Sequence, residues 1–115
     1  MFLDSCLFCK IVDGALPATR LYENEHVIAF ADIAPQAPFH ALIVPKQHRD
    51  SILACQRKDD DAIWTAILEA IHHLSQPYSH SGFRTVINTG PDGGQTVGHL
   101  HVHLLAGRSC QWPPG

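Results

Sequence analysis

A chain of 115 residues with 45% hydrophobic and 17% charged residues has the composition of a single globular domain spanning 1–115, and not of a disordered or repetitive polymer. A formal charge of −3 with eight Lys plus Arg excludes a basic surface broad enough to track a nucleic-acid backbone, although a local donor cluster is enough to hold one phosphate. No apolar run reaches the ~20 residues needed to cross a bilayer, so neither nucleic acid nor membrane is an expected partner. Met1-Phe2-Leu3-Asp4-Ser5 carries an early acid and no basic lead, which argues against a signal peptide. Four cysteines without export signals are then thiols or ligands, not a disulfide framework, and the expected location is the cytoplasm.

In chain order, Ser5–Gly14 predicts a turn and a short helix that Gly14 and Pro17 end. Arg20–Glu23 and His26–Ala31 flank Asn24-Glu25 as a hairpin. Asp32–Pro38 is a loop, because its prolines cannot donate to a ladder, and Phe39–Pro45 is a third, largely buried strand. Asp59, Asp60 and Asp61 precede a helix over Ala62–Leu74, in which Ile63, Ile67, Ala70, Ile71 and Leu74 keep helical spacing. The three acids suit the positive end of the helix dipole and need no other account. Phe83–Asn88 is a fourth strand and the histidine row at Gly98–Leu105 a fifth, while Ser109–Gly115 cannot be regular structure. Hairpin-connected strands around one long and one short helix predict an α+β fold with a mostly antiparallel five-stranded sheet.

The row His99-Leu100-His101-Val102-His103-Leu104-Leu105 carries the chemistry. With a strand's period of two, the three histidines share one face and the aliphatics the other. Three imidazoles on one face compete for partners, so a site is favoured over a core. Three readings stand open: a neutral imidazole that attacks phosphorus, a His-x-His metal site, and a chance polar face. The preceding Asn88–Val97 stretch holds Gly90, Gly93 and Gly94, whose missing side chains let backbone N–H groups approach an anion. A donor-rich loop running into histidines points to phosphate chemistry.

These residues resemble the signature His-φ-His-φ-His-φ-φ of the histidine-triad (HIT) nucleotide-binding superfamily. Phe30–His40 resembles the loop after the family's second strand, Asn88–Thr96 its phosphate loop, and Trp112-Pro113-Pro114-Gly115 the tail of the Hint branch. The likeness runs from about Cys6 to Gly115. It implies a homodimer whose two sheets join into one, binding purine nucleoside monophosphate esters and amidates. Hint-branch enzymes are phosphoramidases that cleave the P–N bond at the α-phosphate of adenosine 5′-phosphoramidate-type substrates, and they need no cofactor for catalysis.

Carried over by position, His101 is the nucleophile that becomes linked to AMP, and His103 contacts phosphate and leaving-group oxygens. His40 and His99 complete the network that orients His101. Asp32 accepts from the ribose hydroxyls, and Phe8, Ile11, Phe30 and Ile33 sandwich the base. Asn88, Gln95, Thr96 and the Gly94 backbone hold the phosphate, with Thr96 also relaying a proton to the leaving amine. The tail, about 108–115, reaches toward the partner's active site, where Trp112 influences substrate choice. Animal Hint proteins carry Ser where this chain has Thr96, and a bulkier residue where it has Gly98. The hydroxyl is kept, so the relay is expected to persist with an altered rate or leaving-group preference.

Cys6-x-x-Cys9 alone does not separate a redox or metal role from two incidental thiols, one of them packed near Phe8. Some bacterial members of the superfamily bind zinc with such a pair, adding a histidine like His48 and the first triad histidine. This resemblance implies a closed Cys6, Cys9, His48, His99 site for a structural zinc. Two other functions remain open from the sequence: hydrolysis of dinucleoside polyphosphates, which the Hint-like tail disfavours, and a zinc-binding, nucleotide-sensing interaction module without turnover. His26, His72, His73 and His80 are assigned to surface or packing, Trp64 to core or dimer interface, and Cys55 and Cys110 to no role.

Overall fold

The computed structural model describes residues 5–115; Met1–Asp4, most of the stretch that bears on a leader, lies outside them. The order of elements is α1 (Leu7–Asp13), β1 (Arg20–Glu23), β2 (Val27–Ala31), β3 (Phe39–Pro45), α2 (Asp61–Leu74), β4 (Phe83–Val86) and β5 (Val102–Ala106). The strands form one antiparallel sheet in the order β1-β2-β3-β5-β4. The expected α+β class, five strands, and long and short helices are therefore all present. Among the described residues no helix is long and apolar enough to cross a membrane.

The continuous apolar runs of β2 and β3 follow from their burial on both faces, unlike the alternation of a half-buried strand. On one face Val27, Ala29, Ala41, Ile43, Val102, Leu104 and Ala106 pack against Ile63, Ala66, Ile67, Ala70 and Leu74 of α2. On the other, Ile28, Phe30, Leu42 and Val44 pack against Phe8, Cys9 and Ile11 of α1. Asn24 joins the first hairpin to α2. Its Oδ1 accepts from the N–H groups of His26 and Val27, and its Nδ2 donates to the Ala66 carbonyl at 3.1 Å.

Four boundaries differ from expectation. β2 begins at Val27, one residue late, with His26 left in the turn that the Asn24 side chain closes. The long helix begins at Asp61, not Ala62, and the fourth strand ends at Val86, not Asn88. The last strand begins only at Val102, because the Leu100 N–H donates to the Arg49 carbonyl at 2.7 Å, drawing the chain out of the ladder. The helix dipole also fails as a full account of the acids before α2. Asp60 makes no side-chain cap; its buried carboxylate takes Arg49 Nη2 at 2.7 Å, Arg49 Nε at 3.2 Å and the Gln56 N–H at 2.7 Å. That bidentate pair holds the Asp60 carboxyl below the usual carboxylate range.

Candidate active site and metal centre

Each histidine of the site has a ring nitrogen whose partner fixes its tautomer. A carbonyl oxygen can only accept, so a ring nitrogen facing one carries the proton. His101 Nδ1 lies 2.8 Å from the His99 carbonyl, which leaves the lone pair on Nε2. The Gln36 N–H donates to His40 Nδ1 at 3.0 Å, so the neutral His40 ring carries its proton on Nε2. That N–H donates to His103 Nδ1 at 2.9 Å, with Asp32 Oδ2 a longer 3.5 Å away. His103 therefore keeps an N–H at Nε2. The two rings, 5.0 Å apart between centroids, offer a nucleophilic lone pair and a hydrogen-bond donor side by side.

Burial favours the neutral form of His103 and His40. It pushes His103 down to about 4, helped by the charges His101 and His40 would carry and opposed by Asp32. Burial likewise lowers His40, again against Asp32. Asp32 is held in turn: its N–H donates to the His40 carbonyl, and its Oδ1 accepts from Ala34 N at 2.8 Å. The second carboxylate–histidine group, Asp32, His40 and His103, does not suit a metal, because a ligand at His40 Nε2 would have to displace the proton that the Gln36 bond fixes there.

His101 and His103 stand in an apolar pocket with Phe8, Ile11, Phe30, Asp32, Ile33 and Thr96, all singled out from the sequence. The Phe8 ring meets Phe30 edge-on at 5.4 Å and His101 at 5.2 Å. Ile33, 99% exposed, forms the rim. Leu7, Leu16, Pro17, Ala18, Ala31, Leu42 and Val97 complete the lining and were missed; Leu16, Pro17 and Ala18 lie in a loop with no periodic signal. Asn88, Gly94, Gln95 and Trp112 do not line the pocket. The glycine loop largely satisfies itself. Gly94 N–H donates to the Pro91 carbonyl, Gln95 N–H to the Gly90 carbonyl, and Gly90 N–H to Gln95 Oε1. Gln95 Nε2 donates to the carbonyls of Asp50 and Val97, making this side chain the brace of the loop. A Cβ at Gly93 would lie 2.2 Å from the Thr89 carbonyl oxygen, so a side chain is excluded there. The Trp112 side chain is 82% exposed, and Arg84 holds the neighbouring Gln111 carbonyl beside β4.

His99 contributes to the His101 network through its carbonyl and not, as the strand pattern implied, through a ring on the same face. Its Nε2 donates to the Pro45 carbonyl at 2.9 Å, which turns Nδ1 toward Cys6 Sγ (3.2 Å), Cys9 Sγ (3.6 Å) and His48 Nδ1 (3.2 Å). His48 Nε2 donates to Asp50 Oδ1 at 2.7 Å, so its Nδ1 is also a lone pair, 3.4 Å from Cys9 Sγ. Two ring lone pairs facing each other at 3.2 Å repel unless a proton or cation lies between them. The four donor atoms fall within 4.8 Å of one another. A tetrahedral zinc with bonds of about 2.0–2.3 Å has edges of about 3.3–3.8 Å, close to those separations. The residues present therefore fit zinc, which when bound would hold both thiols as thiolates and cross-link three segments of chain. Burial meanwhile raises the Cys6 thiol and pushes His99 down to about 4.

Paired imidazoles at the end of an apolar pocket, with a fixed carboxylate beside them, form the candidate active site of this α+β scaffold. Residues 13–110 match the model of the HIT domain, and the chain belongs to that family. An uncharacterized HIT-like protein of Synechococcus elongatus is 45% identical over 112 residues, 97% of this chain and 98% of the relative. A HIT family hydrolase from Legionella pneumophila is similar in structure with a TM-score of 0.91 and 45% identity, covering 96% of this chain and 100% of that one. A histidine triad protein from Clostridium difficile gives 0.87 and 42%, covering 95% and 96%.

Proposed function

We propose that this chain is a hydrolase of purine nucleoside 5′-phosphoramidates of the AMP type, acting through a nucleotidyl-His101 intermediate. The observation that carries the reading is the tautomer relay, Gln36 N–H to His40, His40 to His103 and His101 to the His99 carbonyl, which presents an Nε2 lone pair next to an Nε2–H. His101 Nε2 attacks the α-phosphorus, the P–N bond breaks, and the amine leaves with the Thr96 hydroxyl proton, which Thr96 regains from solvent water. Water then cleaves the P–Nε2 bond: its hydroxyl goes to phosphorus, its proton returns to solvent, and AMP and neutral His101 are released. His103 Nε2–H stabilises the charge on the phosphoryl oxygens in both steps. These side chains and solvent water together supply every proton and electron pair the two steps require, so the mechanism calls on no cofactor.

Asp32 takes the ribose hydroxyls, and Phe8, Ile11, Phe30 and Ile33 enclose the base. Asn88, Gly94 and Gln95 shape the loop behind the phosphate. The cluster of Cys6, Cys9, His48 and His99 holds a structural zinc. The working unit is a homodimer: among the described residues β4 has no strand beyond it, and α2 carries exposed Leu68 beside Trp64 and Ile71, which are only half-buried against the core. In that dimer Trp112 of one subunit reaches the leaving group bound by the other.

The test is intact-protein mass after brief mixing with an adenosine phosphoramidate, followed by quenching without acid. The parent should show one added adenylyl group and turn over, while His101→Ala should bind AMP but do neither. Substantial turnover by His101→Ala would overturn the mechanism. Faster cleavage of diadenosine polyphosphate than of the phosphoramidate would replace the substrate class.

A further inference from the structure

We infer that Cys6 and Cys9 form a thiol–disulfide switch, driven by hydroperoxides, that sets the nucleotide affinity of the pocket through α1. The inference rests on the nucleotide-binding reading above and extends it to regulation of the same site.

The geometry begins with α1, which belongs to two sites at once. Cys6 and Cys9 supply half of the buried donor cluster, while Phe8 and Ile11, on the same seven-residue helix, wall the pocket. A helix this short is not stable alone and depends on what anchors its ends. The N-terminal anchor is Cys6, whose Sγ accepts the Cys9 N–H at 3.2 Å. One turn apart, with both sulfurs against His99 Nδ1, the two thiols are placed to bond to each other. Cys6 also opens onto a surface cleft lined by Leu7, His48, Asp50 and Gly98, through which a small oxidant can reach it.

The chemistry balances with one hydroperoxide per cluster. Cys6 Sγ, held as a thiolate in the zinc-loaded protein, attacks the distal peroxide oxygen. An S–O bond forms, the O–O bond breaks, and the departing hydroxide or alkoxide takes up a proton. Cys9 Sγ then attacks the resulting sulfenic sulfur, forming the S–S bond as hydroxide leaves and becomes water. The two sulfurs have lost two electrons and the peroxide has gained them. A disulfide offers no thiolate, so the donor set shrinks to His48 and His99, which cannot retain the cation. Their facing lone pairs then separate, and α1 loses its anchor. Phe8 shifts from His101, and the His99 segment that fixes the nucleophile's tautomer loosens.

The experiment uses a Cys55→Ser/Cys110→Ser variant, whose only remaining thiols are those of the cluster. It is loaded with zinc and treated with one equivalent of hydrogen peroxide. Intact mass should fall by two hydrogens, a chromophoric chelator should register one zinc released, and calorimetric AMP affinity should weaken by about tenfold or more. Dithiothreitol and zinc should restore all three. A disulfide with zinc release but unchanged AMP affinity overturns the switch alone, as does peroxide that leaves the cluster thiols unlinked. Failure of the reduced, zinc-loaded protein to bind AMP overturns the nucleotide reading and the switch with it.

Discussion

Asp50→Ala should weaken zinc binding about tenfold, or roughly 1.4 kcal/mol, although Asp50 contributes no ligand atom. The carboxylate sits 2.7 Å from His48 Nε2 and holds the proton there, which keeps Nδ1 free to ligate. Without it, the His48 ring must select that tautomer unaided and loses a charge-assisted bond. Partners of this kind change metal affinity by about 10–100-fold. The Asp50 side chain is 81% exposed, so solvent screening puts the effect at the low end of that range. Asp50→Asn keeps an acceptor but not the charge and should fall between parent and Ala. Competition against a chromophoric chelator at fixed neutral pH measures all three. The glycine loop provides an internal control, because Gln95 bonds the Asp50 carbonyl and not its carboxylate. The metal-free Ala variant should accordingly stay within about 1 kcal/mol of the parent in urea. Equal zinc affinity across the series would refute the tautomer argument.

Asp60→Ala strands the Arg49 guanidinium and the Gln56 N–H, and should cost about 3 kcal/mol in urea denaturation; a loss below about 1 kcal/mol would show that the pair is dispensable. Because Arg49 depresses the Asp60 pKa, the pair's contribution is present at neutral pH and is lost as pH falls through the folded-state value. His103 acts in the same direction: the unfolded ring takes a proton below 6.5, the native one only near 4. The unfolded state therefore binds more protons between those values, and stability drops as pH falls through that window, by something on the order of 3 kcal/mol. His103→Asn should flatten that part of the profile, as read by urea midpoints at each end of the window. Gln95→Leu deletes three bonds of the glycine loop and should cost about 1–2 kcal/mol by thermal unfolding, with weaker AMP binding by calorimetry.

The sheet was legible because β2 and β3 bury both faces, and a continuous apolar run states that directly. The walls at Phe8, Ile11, Phe30 and Ile33 were legible through the family resemblance, which carries roles over by position; Leu16, Pro17 and Ala18 have neither a period nor a motif to betray them. Alternation also misled at His99. The rule holds only inside a continuing strand, and one hydrogen bond, from Leu100 to Arg49, ends the strand before that residue is reached. Glycine content was read as room for an anion beside the backbone; the close approach in the fold is Gly93 on Thr89, and composition could not show that the loop's amides bond to one another. Three consecutive aspartates look alike in sequence, and only the fold brings Arg49 to Asp60.

The two faces of the sheet have unequal tasks. The buried contacts of the sheet with α2 are hydrocarbon, with Asn24 and Tyr22 at their margin, whereas the opposite face carries His101 and His103 together with α1. The sheet thus acts as a bulkhead between folding and chemistry. Substitutions on the α2 side can drift, compensate one another and alter thermal tolerance without disturbing the proton arrangement on the far side. The α1 side has no such latitude: a conservative change at Phe8 touches Phe30, His99 and His101 at once. A library aimed at a hardier protein should therefore diversify Ile63, Ile67 and Leu74, and one aimed at new substrates should leave them alone and vary the rim at Ile33 and Val97.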